Sequence, residues 1–311
     1  MVQLTARRLR LLALSAGFLA GACGIMLGLA CLASPAVAAV GRVTIVSAGT
    51  PRTAILIEHR RLKKGRRPAI IVLRAVRKQG ARLRRSLSLE EMARNSGAVL
   101  VYPDPLSGHW GNASGPEANR DIHFVRELIA KLVSHGIANP NKLFLAGIGS
   151  GGTLALRLAC EGKLRFAGVA VLASSLPSGL AASCLPPGPI PLLMISGAPD
   201  STVARHDGTE TLPQETGGLL SIENTLGLFG KAAGCGDGMT RTVYPGKEIH
   251  SGARAYLDKL NNCTVPVEAI RIEGGGRAAG VPGEAGADVG LTSGDVNSAK
   301  LVWEFFRPLA S

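Results

Sequence analysis

Lys142-Leu-Phe-Leu-Ala-Gly147-Ile-Gly149-Ser150-Gly151-Gly152 leads from an apolar run into four glycines within six positions. The run reads as a buried strand and Gly151 to Cys160 as a helix, so the glycines mark a turn where helix and strand approach closely. The same alternation continues on either side. Arg52 to Ile57, Pro68 to Leu73, Ala98 to Tyr102, Lys142 to Ala146, Phe166 to Leu172, Pro191 to Ser196 and Val265 to Ile272 have strand character. Ser88 to Asn95, Arg120 to Ser134 and Ser221 to Ala233 read as further helices, with Ile122, Val125, Leu128, Ile129 and Leu132 at helical spacing in the second. A closing helix is expected over Asp295 to Phe306 with Asp295 as N-cap. Strands alternating with helices specify an α/β fold, a mostly parallel twisted sheet with helices on both faces.

The turn itself has the layout of a nucleophile elbow, G-x-S-x-G, in which a strand delivers a serine above the sheet and a helix carries the chain away. Here the position between Gly147 and Gly151 is Gly149, which has no side chain, and the hydroxyl comes one residue later at Ser150. Ser150 is read as the N-cap of the following helix.

The 311 residues are 46% hydrophobic and 18% charged, with 40 Gly, 18 Pro and six Cys, so the chain is neither a low-complexity segment nor a small disulfide scaffold. Aromatic residues make up 4%, too few for base-stacking platforms, and nucleic acid is not an expected partner. Arg7, Arg8 and Arg10, the uncharged stretch Leu11 to Leu32 and the small residues of Ala33-Ser-Pro-Ala-Val-Ala-Ala39 read as an export leader over residues 1–39. Secreted or periplasmic residence follows. The alternative is a membrane anchor, because an uncharged stretch of this length is able to span a bilayer. Removing the leader's three arginines from a net charge of +13 leaves +10. Between Arg52 and Arg94 fourteen Lys or Arg face only Glu58, Glu90 and Glu91, a basic segment suited to polyanions or an anionic membrane surface, or else a solvated loop. No internal repeat or linker divides residues 40–311, which are expected to form one domain, and Gly274 to Gly294 reads as a loop. Beyond the leader lie Cys160, Cys184, Cys235 and Cys263, an even number consistent with two disulfides. Three pairings are open, of which Cys160 with Cys184 and Cys235 with Cys263 is expected. No Cys or His spacing supports a metal site, and no cofactor is expected.

In order along the chain, Leu100-Val-Tyr-Pro103, Asp121-Ile-His-Phe-Val125, Gly147 to Gly152 with Arg157-Leu-Ala-Cys160, Pro191-Leu-Leu-Met-Ile-Ser-Gly197-Ala-Pro-Asp200, Ala233-Gly-Cys235, and Gly274-Gly-Gly276 before Pro282-Gly283 form a set. On these residues the chain, from about 50 to 310, resembles the secreted esterases that include poly(3-hydroxybutyrate) depolymerases and feruloyl esterases, which are α/β-hydrolases. The resemblance implies a serine nucleophile at the place of Gly149, a triad acid at Asp200 and a base at the place of Arg277. It also implies a His-Gly pair of the oxyanion corner at Arg74-Ala75. The acid is kept and the other three are changed.

Arginine stays protonated and cannot accept a proton from a nucleophile. The expectation is therefore an α/β-hydrolase fold with impaired ester hydrolysis, acting by binding a small ester or anionic ligand or a partner. Arg74 and Arg277 are candidates to hold an anion at the mouth of the site through their guanidinium groups. The alternative is an active serine esterase in which the elbow shifts by one residue, with Ile148 and Gly152 flanking Ser150 and His206 or His250 assisting. His59, His109, His123 and His135 match no base position.

Overall fold

The computed structural model describes residues 38–59, 65–74, 89, 97–106, 108–111, 115–198, 218–244, 254–273, 292–293 and 296–310. Ten strands form one sheet: β1 (Ala38–Ser47), β2 (Thr50–His59), β3 (Arg67–Leu73), β4 (Val99–Pro103), β5 (Ala138–Ile148), β6 (Gly168–Leu172), β7 (Leu192–Ala198), β8 (Met239–Val243), β9 (Arg254–Leu260) and β10 (Val267–Glu273). Their spatial order is β1-β2-β4-β3-β5-β6-β7-β10-β9-β8. From β4 through β10 adjacent strands run parallel. Antiparallel pairs close both sides, β1 and β2 beside β4, and β9 and β8 beside β10. Among the described residues four helices connect or flank the strands: α1 (Pro116–Ser134), α2 (Ser150–Cys160), α3 (Ile222–Ala232) and α4 (Ser298–Ala310). Strand pair β11 (Thr292–Ser293) and β12 (Val296–Asn297) lies outside the large sheet. This is an α/β-hydrolase fold.

Period-two alternation of the central strands produces the two cores. Ile71, Leu73, Val99, Val101, Leu143, Leu145, Val169 and Val171 face Ile122, Val125 and Leu128 of α1, Leu154 and Leu158 of α2 and Leu226 of α3. Ile70, Val72, Leu100, Phe144, Ala146, Ala170 and Leu172 face the other way, against Val302, Trp303 and Phe306 of α4. The rings of Phe144 and Phe306 lie 4.9 Å apart between centroids. Strands buried on both faces have no polar alternation, which is why β3, β4 and β6 read as unbroken apolar runs.

Several expected boundaries move. Helix α1 begins at Pro116, because proline is pre-organised for the first turn of a helix and has no N–H to leave unpaired there. The closing helix starts at Ser298, and its expected cap, Asp295, lies outside the described residues, as does the helix expected over Ser88 to Asn95 apart from Leu89. Ser221 caps α3 by accepting the Asn224 N–H at 3.1 Å. Strands β1, β8 and β9 were not anticipated, and β1 begins within the last two residues expected for the leader. The leader up to residue 37 lies outside the described residues. Among the described residues no helix is long and apolar enough to cross a membrane.

Two disulfides are formed, Cys160–Cys184 and Cys235–Cys263. The first ties the end of α2 to the short 3-10 turn Ser178–Ser183, and the second ties the chain after α3 to the turn between β9 and β10. Such bridges belong to an oxidising compartment, extracellular or periplasmic.

The outer β8–β9 hairpin is held by charge. Asp258 on β9 is fully buried, and its carboxylate accepts from Arg241 of β8 at 2.7 and 2.9 Å and from Arg271 of β10 at 2.7 Å. Arg271 also pairs with Glu223 of α3. Burial raises the Asp258 pKa, but the hydrogen bonds and charges of Arg241 and then Arg271 outweigh it and hold the carboxyl below the ordinary aspartate range. A depressed pKa gives stability that is present above the unfolded value, about 3.9, and is lost as pH falls through the folded value. Replacing Asp258 by Ala is expected to destabilise the fold at pH 7 by about 3 kcal/mol, the lower end of the range for breaking a buried pair because Arg241 can turn to water. Urea unfolding of both proteins at pH 7 and pH 2.5 measures this, and the gap between them should shrink at the lower pH.

Candidate active site

Leu73 at the end of β3 pairs with Gly147 near the end of β5, and α2 starts directly above the two strand ends. That approach is possible only without side chains. A Cβ on Gly147 would overlap the Gly151 carbonyl, and one on Gly151 would overlap the Leu73 carbonyl, both well inside 3.0 Å. A Cβ on Gly152 would come within 2.8 Å of the Ser174 Cβ and 3.0 Å of Val171 Cγ1.

Gly149 differs from these three. Its φ of 54° and ψ of −125° make it the sharp pivot of the turn, and no described residue lies within 4 Å of the place where a Cβ would sit. Its backbone is pinned on both sides. The Gly149 N–H donates to the Leu172 carbonyl at 3.0 Å, and its own carbonyl accepts from Gly152 at 2.8 Å and Thr153 at 3.1 Å. A sterically constrained Gly147 and Gly151 around an open, positive-φ pivot is the backbone of G-x-S-x-G with the pivot's side chain missing.

Ser150 is not the N-cap expected for it. An N-cap needs non-helical dihedrals, which the pivot holds, so Gly149 takes that place with no side-chain bond and Ser150 becomes the first helical residue. The Ser150 hydroxyl accepts the backbone N–H of Trp110 at 3.3 Å. The one-residue shift that would make Ser150 the pivot is not what the backbone adopts: Ile148 is the last residue of β5 and is buried.

Trp110 belongs to a second layer that the sequence reading missed. Its indole N–H donates to the Arg74 carbonyl at 2.9 Å, so one fully buried residue spans the end of β3 and the start of α2. The next residue, Gly111, donates its N–H to Asp121 Oδ2 at 2.9 Å, while Arg52 donates to Asp121 Oδ1 at 2.8 Å and to the Asp104 carbonyl at 3.2 Å. Thr53 Oγ1 closes the set on Asp104 Oδ2 at 2.6 Å. Arg52 and Asp121 are both nearly inaccessible, and the Arg52 guanidinium lies 4.1 Å from the centre of the Phe124 ring. The signal was available. Arg52 falls in step with Ala54 and Leu56 on a buried strand face, and Asp121 with Phe124, Val125 and Leu128 on a buried helix face. Two opposite charges each interrupting an apolar pattern are candidates for one another.

Arg74 does not stand at the mouth of the site. It is only 3% exposed, with its guanidinium 5.3 Å from the centre of the Tyr102 ring, so it presents no face to an external anion. Arg52 and Arg67, from the same basic segment, are engaged with Asp121 and Glu58, and the segment's other described cation, Arg66, is exposed. Ala75, Asp200, His206, His250 and Arg277 lie outside the described residues, as does most of Gly274 to Gly294. His109 is exposed. His123 and His135 belong to the outer side of α1, bonded to Glu127 at 3.1 Å and to the Lys131 carbonyl at 2.8 Å. Among the described residues no group of three His, Cys, Asp or Glu is placed to hold a metal ion.

The steric assignment has a direct consequence. Gly151→Ala is expected to lose about 2–4 kcal/mol or to fail to fold, because backbone must move, whereas Gly149→Ala should lose only about 1 kcal/mol of backbone strain. Denaturant unfolding distinguishes them, and equal losses would contradict the placement of the pivot.

No family model matches the chain. In sequence it is 27% identical over 255 residues to NocK of Nocardia uniformis subsp. tsuyamanensis, which carries an esterase name, covering 77% of this chain and 74% of that protein. It is 27% identical over 198 residues to feruloyl esterase B of Piromyces equi, covering 60% of this chain but 35% of that protein. Among solved structures, the poly(3-hydroxybutyrate) depolymerase LpqC of Bordetella parapertussis matches with a TM-score of 0.45 and 15% identity, over 64% of this chain and 79% of that one. The chain is thus similar in sequence to a protein named as an esterase over 77% of its length, and its elbow leaves the fifth strand of an α/β-hydrolase sheet.

Proposed function

We propose that the chain is an exported member of the esterase and depolymerase family of α/β-hydrolases that has lost the covalent step of ester hydrolysis and acts by binding an ester-like ligand or a partner. The observation that carries this reading is the Gly149 pivot, which has elbow dihedrals and no side chain to attack with. Ester hydrolysis on this scaffold needs a nucleophile, a base with a pKa near the working pH and donors for the oxyanion. In the register set by Gly147 and Gly151 the nucleophile position is Gly149, and the family resemblance implies Arg277 at the base position with Asp200 as the triad acid. Ser150 supports the reading from the other side. Its hydroxyl is engaged by the Trp110 N–H, one residue past the pivot and already within the helix. The two disulfides and the leader-like N-terminus favour export.

Turnover of a p-nitrophenyl ester and labelling by a fluorophosphonate are both expected to be absent in the natural chain. Placing the nucleophile and base back, Gly149→Ser with Arg277→His, should give labelling at residue 149 and a measurable gain in ester turnover. Stoichiometric labelling of Ser150 in the natural chain would overturn the proposal in favour of an active esterase.

A further inference from the structure

The pivot that lacks a nucleophile is still a pivot. Gly149 is held by three backbone hydrogen bonds, so its missing side chain points in one defined direction. Among the described residues, nothing lies within 4 Å in that direction. Gly149 and Ser150 are both partly exposed, in contrast to buried Gly151 and Gly152, so solvent reaches the turn. The Trp110 indole bond to the Arg74 carbonyl holds the neighbouring end of β3 in place beside it. A rigid, reachable gap at the position from which attack on an acyl carbon is launched has a use of its own.

Resting on the reading that Gly149 has replaced the nucleophile, we infer that the elbow admits a small external nucleophile into this gap and passes the acyl group of a bound ester directly to it. The class of nucleophile follows from the missing base. A water or alcohol must lose a proton as it attacks, whereas a neutral amine-type nucleophile attacks through its lone pair and loses its proton afterwards to solvent. With hydroxylamine, the nitrogen lone pair forms a bond to the acyl carbon and the carbonyl electron pair moves to oxygen. That pair then returns, the bond to the aryloxide breaks, and the nitrogen gives one proton to water. The products are a hydroxamic acid, a phenolate and a proton carried by water, with no acyl-enzyme between them. The rate gain comes from holding the two reactants together.

The experiment uses the oxidised full chain, p-nitrophenyl butyrate and hydroxylamine, with release of p-nitrophenolate and formation of the ferric hydroxamate read against a protein-free control. The expected result is an acceleration of about tenfold or more that saturates in ester, requires hydroxylamine, disappears in Gly149→Ala and persists in Ser150→Ala. Circular dichroism of Gly149→Ala verifies that the variant is folded, and Ser150→Ala supplies the independent arm if it is not. No acceleration, in a chain that also resists fluorophosphonate, overturns the inference while leaving the loss of the nucleophile standing. An acceleration unchanged by Gly149→Ala overturns it as a surface effect. An acceleration abolished by Ser150→Ala, together with labelling of Ser150, overturns both readings.

Discussion

Everything at the site depends on backbone meeting backbone where β3, β5 and α2 converge. Gly147, Gly151 and Gly152 allow this, and each would place a Cβ on an atom that has nowhere to go. The distance at which α2 sits above the sheet therefore fixes where the pivot lies, which amide follows it and how far Trp110 must reach to bond to both sides. The Cys160–Cys184 bridge acts on the same helix from its other end. Position is thus enforced independently of whatever residue occupies the pivot.

The flanks of the sheet are arranged around buried carboxylates. On one side Asp121 binds Arg52 and the Gly111 amide, which fixes the loop carrying Trp110. On the other, Asp258 gathers Arg241 and Arg271 beneath the outer hairpin. Removing either acid would leave a cation with its partner gone, so the two clusters act as fasteners for segments that apolar packing alone holds less firmly.

How much of this was readable beforehand follows burial. The central strands announced themselves because both faces are covered, leaving no polar residue to interrupt Ile70 to Leu73 or Val99 to Val101. Strand β8 gave no such signal: Met239 to Val243 is exposed along its whole length and is placed by Asp258 rather than by a core. Strand β9 was obscured because Asp258 itself stands on its buried face. The spacing of Gly147 and Gly151 pointed to Gly149 as the pivot but left the shift to Ser150 open, and the dihedrals of Gly149 decide between them. The role of Ser150 was not legible, because a serine before a helix ordinarily caps it, and only the dihedrals of Gly149 reveal that the cap was already taken. Trp110 escaped notice for a different reason: its role lies in contacts 36 and 40 residues away, which no local pattern records.

A side chain at φ 54° is an uncomfortable conformation for any L-residue, and catalytic serines on such turns tolerate it because chemistry demands it. Glycine removes that discomfort, lowering the energy of the folded state by about 1 kcal/mol relative to a strained residue at the same spot. On the proposed reading, in which hydrolysis is no longer selected, drift at this position runs downhill, towards a quieter and sturdier molecule.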